Sequence, residues 1–143
     1  MDPNFIKRHP ASKTIIIKKR SFFENDVTLP GNVIIGTGSS FWGNLIVQGN
    51  LELGRGALIK GNVIAEKAVI SADCNIQGNI KVKNDLSLLD RTSIGGLAYA
   101  GGNMMVRPYV SARAAECVGN LEITGRTYIK SIKSGHKIVA RRD

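Results

Sequence analysis

Apolar residues recur along this chain in pairs two positions apart. Val27 and Leu29, Leu45 and Val47, Val63 and Ala65, and Ile80 and Val82 form one set; Ile15 and Ile17, Val33 and Ile35, Leu51 and Leu53, and Ala68 and Ile70 form another. A spacing of two puts both members of a pair on one face of a strand and the residue between them on the other. Gly, Asn, Asp and Lys separate the pairs, so the strands are short and the chain turns between them.

The dipeptide Gly-Asn gives the period. Units open at Gly43, Gly61, Gly78, Gly102 and Gly119, with spacings of 18, 17, 24 and 17, and a unit without the glycine opens at Asn25. The 24 reads as 17 plus a seven-residue insertion, GLAYAGG, near 95–101. The second and fourth places of the later units are then Met104 and Val106, and Leu121 and Ile123. Four places before each new start stand Ser21, Ser39, Ala57, Cys74, Thr92 and Ala115, all small; two before stand Phe23, Phe41, Ile59, Ile76, Ile94 and Cys117, all apolar. Tyr109 and Ser111 fall where two aliphatics are expected, and the last unit keeps only Thr127 and Ile129.

Three short strands per unit, joined by corners, make one turn of a three-sided coil. Gly and Asn suit a left-handed corner. The expected fold is all-β: a parallel β-helix, or β-solenoid, of six to seven coils with 17–18 residues each, stacked so that like residues form columns. At about 4.8 Å per coil the rod is about 30–35 Å long. The expected boundaries are a flexible basic tail over 1–13, the β-helix over 14–135 and a basic tail over 136–143. Cys74 falls in the small column and Cys117 in the neighbouring one two coils on, about 10 Å away, too far for a disulfide.

Two units, GNLIVQGNLELGRGALIKGN and GNVIAEKAVISADCNIQGN, resemble the coils of bactofilins, polymer-forming prokaryotic cytoskeletal proteins with the pattern GNVxAxxxVxIxxxAxVxGN. The resemblance covers about residues 15–130, is strongest over 43–94 and weakens after the insertion. It implies a right-handed helix and end-to-end assembly, head to head and tail to tail, into non-polar filaments without nucleotide. It also implies a membrane-touching segment of Phe and Lys/Arg near the N-terminus, matched here by Phe5, Ile6, Lys7 and Arg8.

A solenoid without caps exposes strand edges at both ends. Apolar, β-prone residues stand there: Ile15, Ile17, Phe22 and Phe23 at one end, Tyr128, Ile129 and Ile132 at the other. These are the expected polymer interface, and the expected partner is another copy of the chain. Like-on-like contacts alternating between the two ends would build an open filament.

Charge adds a second expected partner. The net charge is +9, yet residues 21–123 sum to −1, while 1–20 and 124–143 each sum to +5. The basic ends read either as solvated tails without a specific partner or, beside Phe5 and Ile6, as contacts for an anionic membrane surface; nucleic acid ranks behind both, because the tail KSGHKIVARRD offers no stacking platform. No apolar run is long enough for a membrane-spanning helix, and MDPNFIKRHPASK lacks the apolar run of a signal peptide, so a cytoplasmic location is expected.

An enzyme is the competing reading. VIIGTGS and LELGRGA resemble the hexapeptide units of left-handed β-helix acyltransferases, which use a histidine base. The coils hold no histidine; His9 and His136 lie in the terminal segments, and three histidines for a carbonic-anhydrase-type metal site are not available. No catalytic residue, metal, cofactor or small-molecule substrate is expected. Asp73, Asp85 and Asp90 read as corner residues, Trp42 as an outward-pointing side chain.

Overall fold

A computed structural model describes residues 6–9 and 14–142 of the chain. Among them there is no helix. The strands form a β-solenoid of about seven turns with three faces. The first face stacks Thr14–Ile17, Asn32–Ile35, Asn50–Leu53, Lys67–Ile70, Leu86–Leu88, Met104–Val106, Leu121–Thr124 and Ile138–Arg141, all parallel. The second stacks the two-residue strands Phe22–Phe23, Ser40–Phe41, Leu58–Ile59 and Asn75–Ile76. The third stacks Val27–Leu29, Leu45–Val47, Val63–Ala65 and Ile80–Val82. From Ser93–Ala100 onward one strand bends across both the second and third faces, as Ser111–Cys117 and Tyr128–Ser134 also do.

Alternation places every second strand residue in the interior. The first-face column Ile15, Val33, Leu51, Ala68, Leu86, Met104 and Leu121 is buried throughout, as are Phe23, Phe41, Ile59, Ile76, Ile94 and Ala112 on the second face. Phe23 stacks on Phe41 with ring centroids 4.9 Å apart. These columns form a single apolar core.

Hydrogen bonding explains the Gly-Asn dipeptide. The Asn44 N–H donates to Asp26 Oδ1 at 2.7 Å, Asn62 to Asn44 at 2.7 Å, Asn79 to Asn62 at 2.8 Å and Leu97 to Asn79 at 2.7 Å, a ladder between the second and third faces. A second ladder between the third and first faces joins Asn50 to Asn32 at 3.0 Å, Asn103 to Asp85 at 2.8 Å and Asn120 to Asn103 at 2.9 Å. A Cβ at Gly61 would overlap Asn44 Oδ1, and one at Gly119 would overlap Asn103 Oδ1. The glycine is there for close approach. Apart from Gly31, the left-handed backbone lies at the third corner instead, at Arg20, Gly38, Gly56, Asp73, Arg91, Tyr109 and Gly125.

Because two corners use the same dipeptide, the expected alignment slips at Gly102. Gly43, Gly61 and Gly78 belong to the first ladder, Gly102 and Gly119 to the second. The spacing of 24 is a change of corner, and the coil length stays at 17 or 18. No seven-residue insertion exists near 95–101. Ile94 faces Ala112 and Leu97 faces Ala114, a surplus of one residue absorbed as a bulge. Met104 and Val106 therefore stack on Leu86 and Leu88, while Ala115 and Cys117 stack on Ala98 and Ala100. Val110 takes the buried place after the left-handed corner residue, where Ala115 was expected. Tyr109 is that corner residue.

Both domain boundaries also move. Ile6–His9, within the segment expected to be a tail, pairs antiparallel with Thr14–Ile17. Ile138–Arg141, within the other, extends the first face by one strand.

Candidate functional site

The two ends of the rod differ. At the N-terminal end Ile15, Ile17 and Phe23 are 4%, 1% and 4% exposed. Buried as they are, they add little exposed apolar surface at that end, in contrast to the C-terminal coil. Phe22 is exposed, but on the flank of the rod. The outer edge of the first face is taken by Ile6–His9.

The C-terminal end is open. Ile129, Ile132 and Ile138 occupy interior columns, stacked on Ala112, Ala115 and Leu121. Among the described residues no coil stacks above them; Ile132 is 37% and Ile138 52% exposed, and Ile129 is half-buried against the core. Tyr128 faces outward on the second face. Ile138 was missed at the sequence level because it lies beyond the last recognisable unit; its pairing with Leu121 adds it to the end surface.

Of the expected membrane segment, Phe5 lies outside the described residues, and Ile6, Lys7 and Arg8 run in the antiparallel strand. His9 ends that strand, and His136 is exposed in the turn before Ile138–Arg141. Neither lies in a free tail. Among the described residues no group of three metal-ligating side chains comes together. An open depression of about 560 Å³ on the third face is lined by Ile46, Ile64, Glu66, Lys81, Lys83 and Tyr99.

The flank of the second face, with the corner leading into it, gathers charge that the linear sequence hides. The corner holds Lys18, Lys19 and Arg20 in the first coil and Arg55, Arg91, Arg107 and Arg126 above them, against Asp73 and Asp90. The face adds Lys60, Arg113 and Lys130 against Glu24. That makes ten bases and three acids, net +7. The other two faces, counted over residues 14–142, hold seven bases and six acids, net +1. Asp73 is held between two arginines, 2.9 Å from Arg55 Nη2 and 2.7 Å from Arg91 Nε. The hydrogen bond from Arg91 leads in lowering the Asp73 carboxyl below the ordinary aspartate value, with Arg55 adding to it against the opposing effect of desolvation.

The same flank collects aromatic side chains. Trp42 is 50% exposed, meets Phe22 edge-on at 5.0 Å and carries the Lys60 ammonium 4.1 Å over its ring. Tyr109 stands at the corner and Tyr128 at the far end of the face, both more than half exposed. Comparison with protein-family models, with curated proteins and with solved structures finds no match for the chain.

Proposed function

We propose that this protein is a structural scaffold that assembles end to end through its terminal coils, a cytoplasmic element of the bactofilin kind. The observation that carries this reading is the uncovered C-terminal coil. Over the described residues its inward columns end in Ile129, Ile132 and Ile138, which remain partly or largely exposed. The strands Tyr128–Ser134 and Ile138–Arg141 also present an unpaired edge beyond the last coil. A second copy, turned end over end, brings the same isoleucines against these in an isologous contact.

The asymmetry of the ends orders the steps. Tail-to-tail pairing buries exposed apolar side chains and forms first. Growth into a non-polar filament then requires the N-terminal end, where Ile6–His9 already occupies the edge of the first face. The second contact uses the remaining edges at Phe22–Phe23 and Val27–Leu29, or displaces that strand.

Electron microscopy of the purified chain without nucleotide tests the scaffold, and sedimentation velocity tests the first step. Filaments built from paired rods are the expected result. Only monomers at high concentration would overturn the reading.

A further inference from the structure

The four aromatic side chains that are more than a third exposed among the described residues are Phe22, Trp42, Tyr109 and Tyr128. All four lie on the second face or its leading corner, the side that carries net +7. Tyr99, on the third face, is half-buried. Basic and aromatic residues are thus sorted together around a rod whose middle segment is close to neutral in sequence.

The sorting has a second feature. Phe22 and Tyr128 begin and end one outward column, six coil steps or about 29 Å apart. Between them the column runs Ser40, Leu58, Asn75, Ser93 and Ser111, with no charged residue. Aromatic side chains at both ends of a basic flank fit a planar anionic surface, with the rings at headgroup depth and the bases against lipid phosphates. A nucleic-acid strand asks instead for a groove and for free ring faces at successive nucleotides. The Trp42 ring is already covered by Lys60, and no aromatic stands between Trp42 and Tyr109 along this side.

We propose that the rod lies lengthwise on an anionic lipid bilayer, its second face down, with Phe22, Trp42 and Tyr128 as interfacial anchors. Phe22 and Tyr128 stand on the terminal coils whose strand edges serve assembly, but the face between them runs along the flank, so a single rod presents it as a filament does.

Trp42 is the only tryptophan in the chain, and its emission reports its own environment. The full chain is titrated with phosphatidylcholine vesicles with and without phosphatidylglycerol. The expected result is a blue shift only with the anionic lipid, and quenching by acyl chains brominated near the headgroup. The paired variant Arg113→Glu and Lys130→Glu should weaken binding at least about tenfold, since each base near the surface contributes substantially. Lys81→Glu and Lys83→Glu, on the third face, should leave binding unchanged. Three results would overturn the proposal: Trp42 emission unmoved by anionic vesicles, vesicle binding lost only with Lys7→Gln and Arg8→Gln, or an emission change with single-stranded DNA and none with vesicles.

Discussion

The backbone N–H of Asn62 donates to the side-chain oxygen of Asn44, one coil before it, at 2.7 Å. Gly61 lies beside the same oxygen, where a Cβ would overlap both Asn44 Oδ1 and the Gly43 carbonyl. Removing the acceptor with Asn44→Ala should cost about 0.5–1.5 kcal/mol, and Asn44→Asp less, since Asp26 and Asp85 serve the same role elsewhere. Gly61→Ala overpacks the corner and should cost about 1–3 kcal/mol. The double variant should lose less than the sum, because one of the two overlaps disappears. Urea unfolding measures all four, and strict additivity would refute this account of the dipeptide.

Cys74 occupies the buried place after the left-handed corner and donates its thiol to the Gly54 carbonyl at 3.1 Å. Ser39 and Thr92 fill the same place in other coils and bond corner carbonyls in the same way. Cys74→Thr should therefore fold with stability close to the parent, whereas Cys74→Leu should cost about 1–3 kcal/mol by overpacking. Burial pushes the thiol upward from its ordinary value. Alkylation of Cys74 at mildly alkaline pH should be slow in the folded chain and rapid in denaturant, read by mass spectrometry.

The fold was legible in the sequence because a stacked coil writes its columns directly into the chain at a fixed period. Val33, Leu51 and Ala68 reveal the first face without any long-range inference. What misled was punctuation. Gly-Asn serves two corners six residues apart, so anchoring on Gly102 displaced every later column and invented an insertion. A period read from the apolar pairs alone keeps 17 or 18 residues and puts Met104 above Leu86. The basic flank was less legible. Lys60, Arg91 and Arg113 are far apart in sequence and sum to nothing in a linear census. Only the azimuth of each coil position brings them to one side.

Inside the stack, Leu53 and Ile70 are fully buried on the first face. Leu53→Ala leaves a cavity in a column that cannot collapse and should cost about 2–5 kcal/mol. Ile70→Asp places a carboxylate among aliphatics and should abolish the cooperative transition by circular dichroism. A folded, cooperative Ile70→Asp would contradict the placement of that column.

Asp73 gives a pH dependence with a defined sign. Its carboxyl titrates below the ordinary aspartate value in the folded chain, chiefly through the Arg91 hydrogen bond and then Arg55. The charged form is thus the one the fold prefers. Its contribution is present above the unfolded aspartate range, near pH 4, and is lost as pH falls through the folded value. Asn tolerates the left-handed backbone at this corner, so Asp73→Asn isolates the charge. The difference in Tm between parent and variant should be small at neutral pH, as befits an exposed pair, and should vanish in acid. A difference that grows on acidification would reverse the assignment.

The open end offers the sharpest separation of assembly from folding. Ile132 and Ile138 sit in interior columns yet remain 37% and 52% exposed, so each keeps apolar area in water that a covered place in the column would bury, as Ala115 and Leu121 are buried below them. In the proposed pairing a second copy recovers that missing burial. Fully burying an isoleucine contributes about 1.5–3 kcal/mol, and an isologous contact uses each residue twice. Ile132→Asp or Ile138→Asp should then weaken pairing by about a hundredfold or more, while the urea midpoint moves little. Lys81→Asp, on the flank, should leave pairing intact. Phe23→Asp should behave differently from all of these. Phe23 is buried against Phe41, so the charge should unfold the first coils and not merely separate assembled rods. Sedimentation velocity beside urea unfolding resolves the cases. Equal pairing in Ile132→Asp, Ile138→Asp and Lys81→Asp would remove the C-terminal coil as the contact.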